Sequence, residues 1–322
     1  MDVIVAASAC AIVLLTGRND GSPLASIAQS TSRGTGRWAP LVIVGALPIA
    51  PLLGVHHVAD SLDALAAGPA ASDAALSAFL IAIIATISLS VALSAPNSIT
   101  LAIVGALAGT SLATGADVDV RRIVTVLVIA TTAPIAAALL AWWLTRLPLH
   151  LGGLRADAVL AGARKAAFGA LALAYSANDG QKVLFLVAVA SGSSIDASAR
   201  GPIHVATGMA LFGAGTLIGL RRSGRALRHG ASSPSPVQSL WSQTSAAIVV
   251  SVGAAVGTPM SMTQAMVGGV VGAGLTRGWR ALRWMPVVRI TLSWLWSLPA
   301  SAAIAYLLTQ LLTHLFSPLP LV

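Results

Sequence analysis

The tripeptide Asn-Asp-Gly occurs twice in this chain, at Asn19-Asp20-Gly21 and at Asn178-Asp179-Gly180, and each copy interrupts an apolar run. The first run includes Ala11-Ile12-Val13-Leu14-Leu15, the second Ala170-Leu171-Ala172-Leu173-Ala174. Asn-Asp-Gly is a turn signal that can break a helix. A carboxylate inside an apolar segment is costly and marks an ion or substrate path when that segment lies in a bilayer. Here the costly element recurs 159 residues further on (179 − 20). One copy alone reads as a surface turn between helices; the recurrence favours function.

The bilayer itself follows from charge. Only 9% of the 322 residues are charged and 56% are hydrophobic, with mean hydropathy +0.86. A soluble domain carries about 25% charged residues. The expected class is therefore an all-α polytopic membrane protein with the lipid bilayer as its principal partner. All ten acidic residues are Asp, and the net charge is +9. In this class a basic excess records cytoplasmic loops, and no aromatic-basic alternation suggests a nucleic-acid surface. The single Cys10 excludes an intrachain disulfide and a cysteine metal cluster. The start of the chain lacks a basic n-region and carries Asp2, so no cleaved signal peptide is expected.

Residues 3–16 are too short to span alone and are expected to continue past Asn19-Asp20 towards Ser32, as a discontinuous helix. Further apolar runs cover 38–55, 75–95, 101–112 and 123–144. In the second half they cover 166–192, 202–220, 240–257, 265–275 and about 290–312. The connector 147–165 contains Arg155, Arg164 and Lys165, and a Ser- and Pro-rich loop at about 221–239 is expected to be mobile. The organisation expected is a first repeat over 1–146, the connector, and a second repeat over 166–322.

Five further positions recur. Pro96, Ser98, Thr100, Gly105 and Gly109 match Pro259, Ser261, Thr263, Gly268 and Gly272, each pair 163 apart (259 − 96). Loop charges relate the halves. Arg33 and Arg37 precede the run 38–55 and Asp60, Asp63 and Asp73 follow it, whereas 202–220 has Asp196 before it and Arg221, Arg222, Arg225 and Arg228 after it. The reversed bias predicts inverted topology, with five crossings per half and both termini outside. Inverted repeats with broken or re-entrant helices are a secondary-transporter architecture.

If the fold is symmetric, four breaks meet near the midplane. They bring Asn19, Asp20, Ser98, Thr100, Asn178, Asp179, Gln181, Ser261, Thr263 and Gln264. Half-helix N-termini, hydroxyls and amides suit an oxyanion, while unwound carbonyls and two carboxylates suit Na⁺ or H⁺. Helix–helix hydrogen bonding is the plainer role for an isolated Ser98 or Thr100. Arg18 and Lys182 flank the two motifs as charge partners or anion contacts, or else snorkel to the interface. His56 and His57 read as a loop or interface pair, since no partners stand at ligand spacing.

These residues carry a resemblance. Ala177-Asn178-Asp179-Gly180-Gln181-Lys182 resembles the Asn-Asp-x-Gln-Lys signature of the inorganic phosphate transporter (PiT) family. Thr258-Pro259-Met260-Ser261-Met262-Thr263-Gln264 resembles its Pro-x-Ser-x-Thr-His stretch, and Pro96 to Leu101 resembles the first copy. Val288-Arg289-Ile290, Ser293-Trp294 and Pro299 also fit. The resemblance implies a multi-pass plasma-membrane symporter, often homo-oligomeric, carrying inorganic phosphate with H⁺ or Na⁺ by alternating access. It implies no cofactor, with Na⁺ at Asp20 and Asp179 the metal it would admit. It places substrate and cation roles on Asp20, Asp179, Ser98, Thr100, Ser261 and Thr263.

The first half departs from the family pattern. Pro23 stands where the first motif has a second Asn, Arg18 precedes Asn19, and Leu101 and Gln264 replace the family His. A sulfate or other oxyanion permease of the same fold, and a non-transporting membrane subunit with a degenerate site, are the alternative readings. An enzyme is not expected: no Ser-His-Asp grouping or metal-ligand spacing is present, and the six His sit mostly near segment ends.

Overall fold

The computed structural model describes residues 2–31, 36–66, 68, 72–92, 97–117, 120–147, 157–228 and 234–316. Of the residues named above, Ser32, Arg33, Pro96 and Arg155 lie outside these, as does part of the 221–239 loop. In the first repeat, α1 (Asp2–Thr16) runs through a π-helical turn (Gly17–Gly21) into α2 (Ser22–Thr31). There follow α3 (Ala39–Ala46), α4 (Ile49–Leu52), α5 (His57–Ala66), α6 (Asp73–Ala92), α7 (Ile99–Thr114) and α8 (Val120–Arg146). The second repeat opens with α9 (Asp157–Tyr175), a second π turn (Ser176–Gly180) and α10 (Gln181–Ser191). It continues with α11 (Ile195–Arg200), α12 (Pro202–Arg228), α13 (Pro236–Ala255), α14 (Met262–Leu275) and α15 (Trp284–Phe316). The second repeat's first helix thus begins at Asp157, inside the stretch read from sequence as connector.

Six stretches are long and apolar enough to cross a membrane, or seven if Ala39–Leu52 and His57–Ala66, bent by 76°, form one broken span. Helix α13 has 20 residues but buries Gln238, Ser242, Gln243 and Ser245, which lower its apolarity. Helices α7 and α14 have 16 and 14 residues. At 1.5 Å per residue they reach about 24 and 21 Å, short of a hydrocarbon core of about 30 Å. Five crossings per repeat are reached only if α13 and these two short helices are counted. The wide faces of α8 and α15 are apolar and exposed, with Val124, Val128, Ile135 and Leu139 on one and Leu292, Leu295, Leu307 and Leu311 on the other. Such continuous faces belong against lipid.

The repeats clasp each other crosswise. Helix α7 of the first repeat packs along α15 of the second, and α14 of the second packs along α8 of the first. Small residues make the approach close, as lipid-embedded helices require. A Cβ at Gly105 or Gly109 would strike the backbone carbonyls of Leu298 or Ala302. One at Gly268 or Gly272 would strike those of Pro134 or Ala138. The recurring glycines of the sequence are therefore the two symmetry-related crossing points. Together with α1 packed on α10, these crossings produce an all-α fold of two inverted repeats.

The Asn-Asp-Gly motifs do not unwind their helices. Thr16 (φ −60°, ψ −48°) and Ser22 (φ −69°, ψ −41°) on either side of the first turn are both right-handed helical. Tyr175 and Gln181 beside the second are too. The chain widens to π geometry, a device common at functional sites. Of the four expected breaks, only the two entering α7 and α14 expose helix N-termini. Additional interruptions fall at Leu47-Pro48, where the proline cannot donate to the helical ladder, and at residues 53–56, where Gly54 takes a positive φ of 80°.

Candidate functional site

Each π turn carries its aspartate inward: Asp20 is 5% and Asp179 2% exposed. In the second repeat the Asn178 amide donates to Asp179 Oδ2 (2.9 Å) and to the Met260 carbonyl (2.8 Å), while its own oxygen accepts from the Met260 N–H (2.9 Å). In the first, the Asn19 amide donates to Asp20 Oδ1 (2.9 Å) and to the Asn97 carbonyl (3.0 Å). Asn97 and Met260 are 163 apart (260 − 97) and each directly precedes a serine N-cap. Each asparagine thus ties its π turn to the extended segment that opens a short helix, and does so twice in the same way. Asp20 also lies within Coulombic range of Asp179 and Lys182. The two motifs therefore share one buried centre.

Ser98 and Ser261 cap α7 and α14. Their backbones nearly superpose (φ −101°, ψ 108° and φ −101°, ψ 111°), and their hydroxyls accept from Leu101 N and Gln264 N (both 3.4 Å). Such N-termini present unpaired N–H groups and a positive dipole end to an anion. Thr100 donates across the repeats to the Met260 carbonyl (3.0 Å). Thr263 turns instead to the Ser261 hydroxyl (3.0 Å). The Gln264 side chain is buried and makes no hydrogen bond among the described residues.

The charge partners are unequal. Lys182 is 2% exposed and pairs with Asp179 Oδ1 at 2.7 Å, so it does not snorkel. It also donates to Thr100 Oγ1 (2.8 Å) and to the Met260 carbonyl. Among the described residues Arg18 forms no such pair with Asp20; it is half-buried, and its carbonyl accepts from the Ser22 hydroxyl (2.6 Å). Gln181 sits beside the centre but spends its amide on the scaffold. Its oxygen accepts from Val58 N (2.7 Å) and Ala59 N (3.2 Å) at the start of α5, and its nitrogen donates to the Ala177 carbonyl. His56 is a true interface residue: Nδ1 pairs with Asp196 at 3.1 Å and Nε2 lies 3.0 Å from the Pro51 carbonyl.

Four participants have little signal in sequence. Asn97 was visible in the first Pro-Asn-Ser stretch, but its repeat mate is Met260, and the shared function is that of a backbone carbonyl. Ser176 joins the second π turn to the broken helix by donating to Leu47 O and accepting from Ala50 N, both at 2.9 Å. Tyr175 stands one helical turn before Asp179 with its hydroxyl buried and unpartnered among the described residues. Thr216 of α12 donates to the Gly17 carbonyl (3.2 Å), the counterpart tie on the first π turn. Among the described residues no group of three or more His, Cys, Asp or Glu could hold a metal ion.

Inverted repeats with π-distorted helices, facing short capped helices and a buried charged centre between them are the architecture that secondary transporters use. Residues 155–305 match the model of the "Phosphate transporter family". The second half of the chain thus carries the domain of that family, the inorganic phosphate transporter (PiT) family. It is 30% identical over 154 residues to the "Probable low-affinity inorganic phosphate transporter" of Mycobacterium leprae, covering 47% of this chain and 37% of that one. It is 34% identical over 82 residues to "Inorganic phosphate transporter 2-1, chloroplastic" of Arabidopsis thaliana, covering 26% and 14%. The matches span about a third of the length of the mycobacterial relatives. A solved structure titled "The sodium-dependent phosphate transporter" superposes with TM-score 0.81 over 98% of this chain and 99% of that one, at 16% identity. That similarity establishes the fold across both repeats, including the first, which the family model does not reach.

Proposed function

We propose that this chain carries inorganic phosphate across the plasma membrane with a coupling cation, by alternating access around the centre shared by the two π turns. The observation that carries the reading is the duplicated junction of Asn19 with Asn97 and Asn178 with Met260, which brings Asp20 and Asp179 beside two serine-capped helix N-termini. The N-termini of α7 and α14, with the hydroxyls of Ser98, Ser261 and Thr263 and the amide of Gln264, offer donors to phosphate oxygens, while Thr100, whose proton goes to the Met260 carbonyl, ties the two repeats together beside them. Asn19 and Asn178 hold the carboxylates and the adjoining backbone carbonyls in place for a cation, Na⁺ or H⁺. Gln181 acts on this site through α5, as a positioning residue. The similar proteins are all named for phosphate, which supports phosphate over sulfate as substrate. The family resemblance adds homo-oligomers, to be read by cross-linking in native membranes.

The test is uptake of labelled phosphate by reconstituted vesicles under an imposed Na⁺ or H⁺ gradient. Accumulation above the no-gradient control is expected, with at least tenfold loss in Asp20→Asn. Sulfate carried with phosphate neither carried nor competing would transfer the site to the sulfate reading. Flux of neither anion, from protein that elutes as a folded species, would leave the non-transporting subunit.

A further inference from the structure

Around the Lys182 ammonium stand a carboxylate oxygen of Asp179 (2.7 Å), the Thr100 hydroxyl (2.8 Å) and the Met260 carbonyl. A carboxylate, a hydroxyl and an unwound-segment carbonyl form the oxygen set that a small hard cation takes from a protein. An ammonium has three donors, and all three are used here. None remains for a bound oxyanion. Lys182 is therefore organised as a cation in an oxygen cage, and its role is not that of a substrate clamp.

The repeat supplies the comparison. Shifting by 159 takes Asp179 to Asp20 and Lys182 to Pro23 (182 − 159); shifting by 163 takes Met260 to Asn97 and pairs Thr100 with Thr263. The centre at Asp20 thus has the corresponding carboxylate and carbonyl from the first repeat, and the shift pairs Thr100 with a hydroxyl of the second repeat, Thr263. Asn19 bridges Asp20 and the Asn97 carbonyl just as Asn178 bridges Asp179 and the Met260 carbonyl. What it lacks is the amine. Proline has neither charge nor donor, and among the described residues no ion pair reaches Asp20. Thr100, next to the ammonium, is drawn into the cage, whereas Thr263 bonds its own helix cap.

We infer that Lys182 is a built-in counter-cation that replaces a free coupling cation in the second repeat, so that cation dependence falls on the first-repeat site at Asp20 alone. Coupling then uses one cation site where a symmetric pair of aspartates would use two. The inference rests on the transport reading for its consequence, but the cage can be tested without flux.

The experiment is thermal stability of the full-length purified protein during Na⁺ titration, with choline holding ionic strength constant. Wild type should respond as a single saturable site. Lys182→Ala opens the second cage and should gain a further saturable Na⁺ stabilisation absent from wild type. Its uptake, where measurable, should depend on Na⁺ with a Hill coefficient near two in place of one. Lys182→Ala with an unchanged Na⁺ response overturns the inference. Should Lys182→Ala not fold, Pro23→Lys in an otherwise wild-type chain decides: the lysine should fill the first cage and abolish the Na⁺ response, and a response kept at wild-type size overturns the inference. Both binding results as expected, without phosphate flux in wild type, would refute the transport reading and leave the Lys182 assignment standing.

Discussion

Replacing Asp179 by Asn should damage the fold far more than replacing Asp20 by Asn, although the two positions are repeat mates. Asp179 is buried against Lys182 at 2.7 Å, and both are 2% exposed. Removing its charge leaves the ammonium without its ion-pair partner, in contact with the Thr100 hydroxyl, the Met260 carbonyl and a new neutral amide. Breaking a buried ion pair by removing one partner costs about 3–5 kcal/mol. The amide retains an acceptor, so the lower end applies, about 3 kcal/mol. For proteins of 150–250 residues 1 kcal/mol shifts Tm by about 2–4 °C, so a loss on the order of 6–12 °C is expected. Asp20 has no ion pair to break among the described residues, and its carboxylate is buried. Asp20→Asn removes a buried charge and should cost less than about 1 kcal/mol. The double change Asp179→Asn with Lys182→Met removes both charges and should recover most of the loss, as replacing a buried pair by neutral groups usually does. The assay is the fraction of detergent-solubilised protein that survives a heating series, read by size-exclusion chromatography, with uptake measured in parallel. Equal losses in the two single mutants would refute the reasoning, as would a double mutant no more stable than Asp179→Asn.

The remaining predictions concern the scaffold. Gly109→Ala and Gly272→Ala place a methyl against the carbonyls of Ala302 and Ala138, and each should destabilise by about 1–3 kcal/mol. Gly169→Ala on α9, where a Cβ meets nothing within 4 Å, should instead be neutral or stabilising by up to about 1 kcal/mol in the same heating series. Gln181→Ala removes the acceptor shared by Val58 and Ala59, and should cost about 1–3 kcal/mol and raise hydrogen exchange at the start of α5. Unchanged protection of those amides would count against the cap.

What was legible in the sequence was whatever the duplication repeats. Asp20 with Asp179, Ser98 with Ser261 and the two glycine pairs recur at fixed offsets, and the structure brings each pair to matching places. The local geometry of the motifs was not legible. Asn-Asp-Gly favours a turn because glycine admits positive φ, yet the positive-φ glycines are Gly54, Gly115, Gly192, Gly257 and Gly278. Gly21 and Gly180 are required for space: a Cβ would collide with the Thr216 hydroxyl at one and the Leu47 carbonyl at the other. That demand comes from helices far away in sequence. Gln181 was expected at the substrate for the same reason that it was noticed, its place beside Asp179. Its partners lie 123 and 122 residues away, and no local pattern announces them. Arg18 and Lys182 were indistinguishable as charge partners in sequence, because either could reach water by snorkelling; only the packing decides.

The same asymmetry extends from charge to backbone. The first π turn is tied by Thr216 to α12, which remains helical from Pro202 to Arg228. The second is tied by Ser176 to the helix interrupted at Leu47-Pro48, accepting from Ala50 N on one side of the gap and donating to Leu47 O on the other. A helix bends most easily where its own ladder is missing. The Ser176 hydroxyl stands in for part of that missing ladder, so the broken segment is held by a contact to the other repeat. The first repeat's interrupted span therefore follows the second π turn, and with it the Asp179–Lys182 pair. No equivalent interruption lies in α12, the helix tied to the first π turn. Two repeats built on one plan thus differ in both respects: Asp179 pairs with Lys182 beside an interrupted span, while Asp20 forms no ion pair among the described residues and lies beside a continuous helix.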